Sequence, residues 1–317
     1  MFVDSCASLW GREEDDEQSA PFGSKQDILA QLRTRSATFW DEHERSDRDK
    51  YLKVHEENID PDNLNQVRIL RSVNTTTFGL PYDYGSIMHY HKYAFSKKLG
   101  VLLSMEPTWE NHDHIDTMGQ RIGPSFFDLL KMNKLYECLD DCDYPLSCEN
   151  GGFQNPKNCS QCICPSGLGG PDCAGRDPGR SKGSPCGADL TAGEDWKTFN
   201  GSVPPDCYWC SIEIRVDKIS GEYKNYGCTG NNVEFKVDND LRKTGYRMCD
   251  PAQANGKSFH SDSKVATVSA YARTSQYLEI SYKFKNNCEW GQLKIYDYRN
   301  PKTGEYEDHY MGGWINC

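Results

Sequence analysis

Histidine is absent from the first 42 residues of this chain, and all 8 of its histidines lie from His43 onwards. A helix in that stretch therefore cannot carry two histidines four residues apart, an arrangement with which many enzymes hold zinc. The sequence also lacks an apolar run of the ~18 residues that a membrane-spanning helix needs, so we expect no membrane span. Acidic residues outnumber basic ones, and the net charge of −11 argues against nucleic-acid binding, which requires a basic surface.

Cysteine is abundant instead, with 15 residues, most of which follow residue 137 at close spacings. This density indicates an oxidising compartment and disulfide-stabilised modules. Three N-glycosylation sequons, at Asn74, Asn158 and Asn200, agree with a secreted protein. However, the first residues, MFVDSCASLW, have neither the basic nor the apolar region of a secretory signal peptide. We interpret Met1 either as the start of a truncated product or as the start of a chain with unusual export.

Hydrophobic spacing and cysteine spacing divide the chain into modules. Residues 24–38, 50–58 and 125–136 have helical spacing. The six cysteines from Cys142 to Cys173 are too dense for a hydrophobic core and predict a small module held by disulfides. After a linker rich in Gly, Pro and Ser, alternating segments at 212–216, 233–237 and 277–282 predict an all-β sandwich.

Two segments of the first module resemble the astacin family of secreted zinc endopeptidases. Residues 86–90 (SIMHY) are similar to the Met-turn of that family, in which a methionine forms the floor beneath the metal. Residues 39–43 (FWDEH) and 47–49 (DRD) are similar to the segment that follows its zinc helix. The resemblance implies a truncated metzincin-type domain, in which Tyr90 stands where the family has a tyrosine that ligates zinc and stabilises the oxyanion.

The residues that zinc chemistry requires are replaced in this sequence. On the family motif HExxHxxGFxH, the three ligand positions hold Gln31, Arg35 and Asp41, and the general-base position holds Leu32. Arg35 disqualifies the site because a guanidinium stays protonated and repels a cation. We therefore expect no cofactor, although the family uses zinc, and we interpret Tyr90 as vestigial. Arg35 and Asp41 either form an ion pair at the former metal position or both face water.

The two later modules resemble extracellular domains, one EGF-like and the other a CUB domain. Cysteine spacing alone leaves the connectivity open. The resemblances imply five disulfides, which are Cys142–Cys159, Cys148–Cys162, Cys164–Cys173, Cys186–Cys207 and Cys228–Cys249. The pairing of five further cysteines stays open, and these are Cys6, Cys138, Cys210, Cys288 and Cys317. For Cys6 and Cys138 the alternatives are two free thiols or a rearranged bridge.

The predicted fold class is therefore a multidomain α+β protein. It comprises a truncated astacin-like domain at 1–138, an EGF-like module at 139–174, a linker at 175–185, a CUB domain at 186–284 and an unassigned tail at 285–317. The favoured function is a secreted astacin-type zinc metalloendopeptidase homologue without catalytic activity. One alternative is a binding or adhesion protein that holds extracellular proteins or matrix through its EGF-like and CUB modules. The other alternative is an active zinc metalloendopeptidase.

Overall fold

The computed structural model describes residues 41–70, 76–140, 142–177, 195–203, 207–210, 213–221, 226–261, 266–271, 274 and 276–283. Several sequence predictions lie outside these ranges, namely the helix at 24–38, the tail at 285–317, and Gln31, Leu32, Arg35, Cys6, Asn74 and Cys186. Across the described ranges, no helix has the length and apolar character to cross a membrane.

Residues 41–140 form the first part, in which short 3-10 helices and loops predominate. Two strands, β1 (Leu52–Val54) and β2 (Met105–Pro107), pair in antiparallel fashion. The 3-10 helices lie at Glu42–Glu44, Arg48–Lys50, Glu56–Asn58, Pro61–Val67, Trp109–His114 and Cys138–Asp140. Their core consists of Leu52, Ile59, Val67, Tyr82, Tyr84, Ala94, Met105 and Met118.

The helix predicted at residues 50–58 is wrong, because this segment forms β1 and a 3-10 turn. Leu52 is 1% exposed and lies opposite Pro107, while Val54 lies opposite Met105. Pairing with a strand that is distant in sequence overrides the local helical spacing, and that spacing carries no information about the partner.

The helix predicted at residues 125–136 is confirmed as α1 (Phe126–Leu135). Ser125 begins it with a capping box. The Asp128 amide donates to Ser125 Oγ at 3.0 Å, and the Ser125 amide donates to Asp128 Oδ2 at 2.9 Å. Phe127 and Leu130 pack in a cluster with Leu80, and this contact fixes the helix against the loop that precedes the Met-turn.

Residues 142–177 form a disulfide-rich unit of two small antiparallel sheets. In one sheet β3 (Phe153–Asn155) pairs with β4 (Asn158–Ile163), and in the other β5 (Leu168–Gly169) pairs with β6 (Gly175–Arg176). A 3-10 turn lies at Glu149–Gly151. The unit contains the disulfides Cys142–Cys159, Cys148–Cys162 and Cys164–Cys173, the three pairs that the EGF-like resemblance implies. Strand β6 and a 3.1 Å bond from the Asp177 amide to Gly167 O extend this unit into the segment expected to be a linker.

Cys138, at the end of the first part, is disulfide-bonded. The alternative of a free thiol at this position is therefore wrong. Its partner lies outside the side chains that the structure describes.

The described residues between 195 and 283 form a sandwich of two four-stranded antiparallel sheets. The strands are β7 (Lys197–Val203), β8 (Cys207–Cys210), β9 (Glu213–Ser220), β10 (Asn232–Lys236), β11 (Tyr246–Met248), β12 (Ser258–His260), β13 (Thr267–Tyr271) and β14 (Gln276–Lys283). One sheet has the order β12-β9-β14-β7 and the other β11-β10-β13-β8. A short helix, α2 (Pro251–Ala254), and a 3-10 turn at Tyr226–Cys228 connect them. The alternating segments near 212–216, 233–237 and 277–282 are thus confirmed as strands.

The two sheets meet in one hydrophobic core. It includes Ile214, Val216, Val233, Phe235, Val268, Leu278 and Ile280. Phe235 stacks on Phe259 with 4.7 Å between ring centroids. The Cys228–Cys249 disulfide lies in this part, as the CUB resemblance implies.

Candidate functional site

The Met-turn, residues 86–90, lies in the interior of the first part. Ile87 is 3% and Met88 2% exposed. Asp128, in the first turn of α1, holds the turn by accepting hydrogen bonds from Ser86 Oγ at 2.6 Å and from the Ile87 amide at 2.8 Å. From the other side, Gln120 Nε2 donates to Gly85 O at 2.7 Å. The turn is therefore fixed between α1 and the loop that precedes it.

Two buried carboxylates, Asp83 and Asp128, flank the Met-turn. Burial, and then the charge of Asp83, raise the pKa of Asp128 to about 6. Burial likewise raises the pKa of Asp83, which accepts a 3.0 Å hydrogen bond from the Gly85 amide through Oδ1. The low-dielectric interior makes it costly for both carboxylates to carry charge together.

Glu42 joins the segment after the expected zinc helix to the Met-turn. Its amide donates to Met88 O at 3.2 Å, and its Oε1 accepts from the Asp83 amide and from Arg45 Nη1, each at 2.9 Å. Its Oε2 pairs with the ammonium of Lys131 on α1. Burial alone would raise the pKa of Glu42, but the charges of Lys131 and Arg45 outweigh burial and lower it. Glu42 is thus an ionised carboxylate engaged in structure, not a free general base.

The DRD segment, residues 47–49, is also engaged in structure. Arg45 holds Asp47 with two hydrogen bonds of 2.9 Å, from Nε and Nη2. Arg48 Nη1 donates to His43 O at 2.9 Å and to Val67 O at 2.6 Å. These bonds satisfy buried carbonyls that would otherwise carry a desolvation cost.

His89, within the Met-turn, has both ring nitrogens within hydrogen-bond distance of the protein. His89 is 0% exposed, with Nε2 2.7 Å from Tyr82 Oη and Nδ1 2.7 Å from Tyr90 O. Burial, and then the nearby His43, lower the pKa of His89 to about 3. His43 is also 0% exposed, and its Nε2 lies 3.1 Å from Gln66 O. The His89 imidazole is therefore a neutral interior group.

Tyr90 is half-buried and packs between two rings. Its ring centroid lies 4.4 Å from that of His43 and 5.1 Å from that of Phe95. Burial, followed by the charges of Asp41 and Glu44, raises its pKa. The hydroxyl is thus held in its neutral form, as expected for a packed tyrosine.

Asp41 is the one family ligand position inside the described part of the chain. Its charge acts on Arg121, whose pKa is lowered by burial and raised in part by Asp41. Arg121 Nη1 is held by Ile87 O at 3.3 Å, His89 O at 3.0 Å and Gln120 O at 2.6 Å. The charge of Asp41 thus acts on Arg121 beside the Met-turn, whereas Arg35, the other member of the predicted ion pair, lies outside the described residues.

Zinc does not fit the residues at its family positions. Asp41 offers a carboxylate that zinc accepts, but Gln31 is a poor ligand and Arg35 is a permanent cation. Within the ranges that the structure describes, no three or more His, Cys, Asp or Glu side chains are grouped so as to hold a metal ion. No step of zinc chemistry follows from these residues.

Sequence reasoning missed Arg121, Lys131 and Asp128 as neighbours of the Met-turn. Asp128 had a readable signal, because Ser125-Phe126-Phe127-Asp128 has the capping-box spacing. Its bonds to Ser86 and Ile87 had none, because they depend on how α1 lies against the turn.

Known proteins that are similar to this chain are zinc proteinases of one family. Residues 2–137 match the Astacin peptidase family model. Zinc metalloproteinase nas-36 of Brugia malayi is 33% identical over 273 residues, which cover 78% of this chain and 44% of that protein. Zinc metalloproteinase nas-23 of Caenorhabditis elegans is 35% identical over 224 residues, covering 66% and 40%. Zinc metalloproteinase dpy-31 of Haemonchus contortus is 33% identical over 268 residues, covering 78% and 48%.

The chain thus spans less than half the length of these three relatives. A solved structure, High choriolytic enzyme 1 of Oryzias latipes, is 35% identical, with 35% of this chain and 52% of that chain covered and a TM-score of 0.30. The similarity to that enzyme therefore lies in the sequence, and the low TM-score supports no comparison of the two folds. Through residues 2–137, with their SIMHY turn and DRD segment, this chain belongs to the astacin family of peptidases.

Proposed function

We propose that this chain is a secreted astacin homologue whose peptidase segment neither binds catalytic zinc nor cleaves peptide bonds. The observation that carries the proposal is the residue set at the four functional positions, Gln31, Leu32, Arg35 and Asp41. Zinc catalysis needs three protein ligands, an open position for water and a base that takes the proton of that water. Leucine cannot accept a proton, and arginine adds a positive charge where the ion would sit.

The surroundings of the Met-turn support this proposal. The Glu42 carboxylate is ion-paired with Lys131 and accepts hydrogen bonds from Arg45 and the Asp83 amide, so it cannot replace the missing base. Tyr90 packs against His43 and Phe95, which agrees with a vestigial role.

Zinc content and peptidase activity of the purified full chain test the proposal. We expect far less than one equivalent of zinc by elemental mass spectrometry, and no hydrolysis of a mixed peptide library above background. The matched positive control is the variant Gln31→His/Leu32→Glu/Arg35→His/Asp41→His, which restores the ligands and base. One equivalent of zinc in the unmodified chain, with hydrolysis that a chelator abolishes, would overturn the proposal and favour an active endopeptidase.

A second candidate function is binding of extracellular proteins or matrix through EGF-like and CUB modules. It is favoured by the three disulfides of residues 142–177 and by an exposed aromatic group on the sandwich. Trp196 is 39% exposed and lies between Arg215 and Lys283, whose charged groups are 4.8 and 4.6 Å from its ring centroid. Tryptophan and arginine are enriched in the energetic centres of protein interfaces.

Binding of the immobilised full chain to purified matrix proteins tests this second candidate. Trp196→Ala should reduce binding by about thirtyfold or more, because truncating a central tryptophan typically costs ≥ ~2 kcal/mol. Trp109→Ala is the matched control, since Trp109 is 88% exposed and lies on the first part of the chain. Equal losses for both variants, or none for either, would remove the sandwich surface around Trp196 as the binding site.

Secretion and glycosylation belong to the same proposal. Asn158 is exposed on β4, and its Oδ1 accepts a 2.7 Å hydrogen bond from Ser160 Oγ of the same sequon. A chain secreted from eukaryotic cells should lose mass on treatment with an amidase that removes N-glycans. Asn158→Gln should lower that loss, and unchanged mass in both forms would contradict glycosylation at Asn158.

A further inference from the structure

One sheet of the sandwich has both of its faces buried. On β10, Val233 and Phe235 enter the hydrophobic core, whereas Glu234 and Lys236 alternate with them and are nevertheless only 4% and 3% exposed. On the neighbouring β13, Thr267 and Ser269 are 1% and 5% exposed. In an antiparallel sandwich such alternating polar residues ordinarily face water. A buried charge is costly unless it is paired, so something in the chain must cover and satisfy this polar face.

The first part and the disulfide-rich unit supply that cover. The Arg247 amide on β11 donates to Thr117 Oγ1 at 3.1 Å, and Thr117 Oγ1 lies 3.5 Å from Gly245 O. From the disulfide-rich unit, Ser166 Oγ lies 3.3 Å from Glu234 Oε1. Glu234 and Lys236 are also bonded within the sandwich, to Arg247 and to Leu241 O, so the earlier modules cover the polar face and supply only part of its hydrogen bonding.

Glycines allow the backbones to approach closely at this contact. A Cβ on Gly85, next to the Met-turn, would lie 2.2 Å from Thr244 Cγ2 and 2.5 Å from Thr244 Oγ1. A Cβ on Gly227 would lie 2.2 Å from the carbonyl carbon of Gly119. Real Cβ atoms do not come this close, so residues larger than glycine would force the parts to separate. Modules that are joined only by a flexible linker would not require glycine at these two positions.

Aromatic and ionic contacts run along the same boundary. The His114 ring lies between Tyr84, at 4.5 Å, and Tyr246 of β11, at 4.3 Å between centroids. Beyond it, Lys257 of the sandwich pairs with Asp113 of the first part. These contacts extend the boundary from the back of the Met-turn to the edge of the sandwich.

We propose that sheet β11-β10-β13-β8 is a docking surface for residues 83–85, 113–120 and 166–167 of this same chain, with 166–167 on its polar face. The sandwich and the first part then unfold as one cooperative unit. The sandwich completes the fold of the peptidase segment behind the Met-turn instead of acting as a tethered binding module. External partners have access to the opposite sheet, β12-β9-β14-β7, and not to this one. The inference does not depend on whether the peptidase segment is active.

A double-mutant cycle between Gly85 and Thr244, made in the full chain, tests the docking surface. Gly85→Ala should lower Tm by roughly 3–10 °C, because the added methyl overlaps Thr244. Thr244→Gly removes the three atoms nearest to the added methyl, so the double variant should recover at least half of that loss. Gly123→Ala is the matched control, since a Cβ at Gly123 meets no atom within 4 Å, and its Tm should stay within about 1 °C.

Lysine labelling gives a second readout that does not need a clean unfolding transition. With an amine-reactive acetylating reagent, Lys236 should stay unmodified in the unaltered chain while the exposed Lys218 reacts. In Gly85→Ala, the labelling of Lys236 should rise severalfold, and it should fall again in the double variant. Labelling of Lys236 and Lys218 at equal rates in the unaltered chain would overturn the proposal. So would additive effects of the two substitutions on Tm.

Discussion

His89, which is buried, and His114, which is partly buried between Tyr84 and Tyr246, make stability depend on pH. Burial lowers the pKa of each to about 3, from the value of 6.5 expected in the unfolded chain. Between these values the unfolded chain binds protons that the folded chain does not. The free energy of unfolding therefore falls as pH drops below 6.5, by up to about 1.4 kcal/mol per pH unit for each histidine, until pH reaches about 3.

Asp128 acts in the opposite direction over part of this range. Its folded-state pKa of about 6 lies above the ordinary 3.8, so the folded chain takes up this proton first. Its contribution to the free energy of unfolding therefore rises as pH falls from about 6 to about 4. A measured pH profile is the sum of these terms, and a single variant is needed to isolate one of them.

Replacing His114 by phenylalanine should flatten the acid side of the stability profile. The ring can still stack between Tyr84 and Tyr246, but it no longer titrates. We expect the slope of unfolding free energy against pH to decrease by about 1 kcal/mol per unit between pH 6 and 4, measured by urea unfolding. The same substitution at His260, whose side chain is 52% exposed, gives the background slope. An unchanged slope in His114→Phe would contradict a lowered pKa for the His114 imidazole.

At the residue scale, sequence reasoning identified the positions at the site but not their partners. Met88, Tyr90 and Asp41 were found because a motif fixes their order in the chain. The pairing of Glu42 with Lys131 and the effect of the Asp41 charge on the pKa of Arg121 depend on tertiary packing. Sequence distance carries no signal for contacts of that kind when only one sequence is at hand.

At the scale of elements, α1 anchors the Met-turn through its own capping residue. Asp128 caps α1 with Ser125 and also accepts hydrogen bonds from Ser86 and Ile87. The cap was readable in sequence, since a serine three residues before an acidic residue precedes an apolar run. Strand β1 was not, because its partner β2 lies far along the chain.

Two substitutions separate the capping role of α1 from its anchoring role. Ser125→Ala should lower the free energy of unfolding by about 1 kcal/mol, the usual cost of a lost N-cap. Asp128→Asn should cost more, about 2–3 kcal/mol, because an amide cannot accept all the hydrogen bonds that the carboxylate receives. Urea unfolding at pH 7.5 measures both. Equal costs would mean that the bonds to Ser86 and Ile87 add nothing to stability.

At the scale of the whole molecule, the modules that the sequence predicts are in contact with one another. Cysteine density and strand alternation predicted the disulfide-rich unit and the sandwich, because both patterns are local. The same alternation does not reveal that Glu234 and Lys236, which alternate with the core residues of β10, are only 4% and 3% exposed. Contact between modules is invisible to periodicity, which reports the side of a strand but not what covers it.

A charge swap across the boundary measures the ionic part of the docking. Lys257→Glu and Asp113→Lys should each destabilise the chain, and the double variant should recover the loss. Because the two side chains are 29% and 39% exposed, we expect a coupling of only about 0.5 kcal/mol, and less at high salt. The same exchange at Lys53 and Glu106, which pair within the first part, controls for changed charge. Zero coupling at low salt would contradict the ion pair.

Burial of the polar sheet face also matters for anyone who raises antibodies to this protein. A separately produced sandwich would present Glu234, Lys236, Thr267 and Ser269 as a hydrophilic surface, and part of the immune response would be directed to it. In the full chain these residues are at most 5% exposed, so such antibodies would bind the immunogen and miss the native protein. Immunogens based on sheet β12-β9-β14-β7, with Trp196 and Arg215 at its surface, avoid that failure.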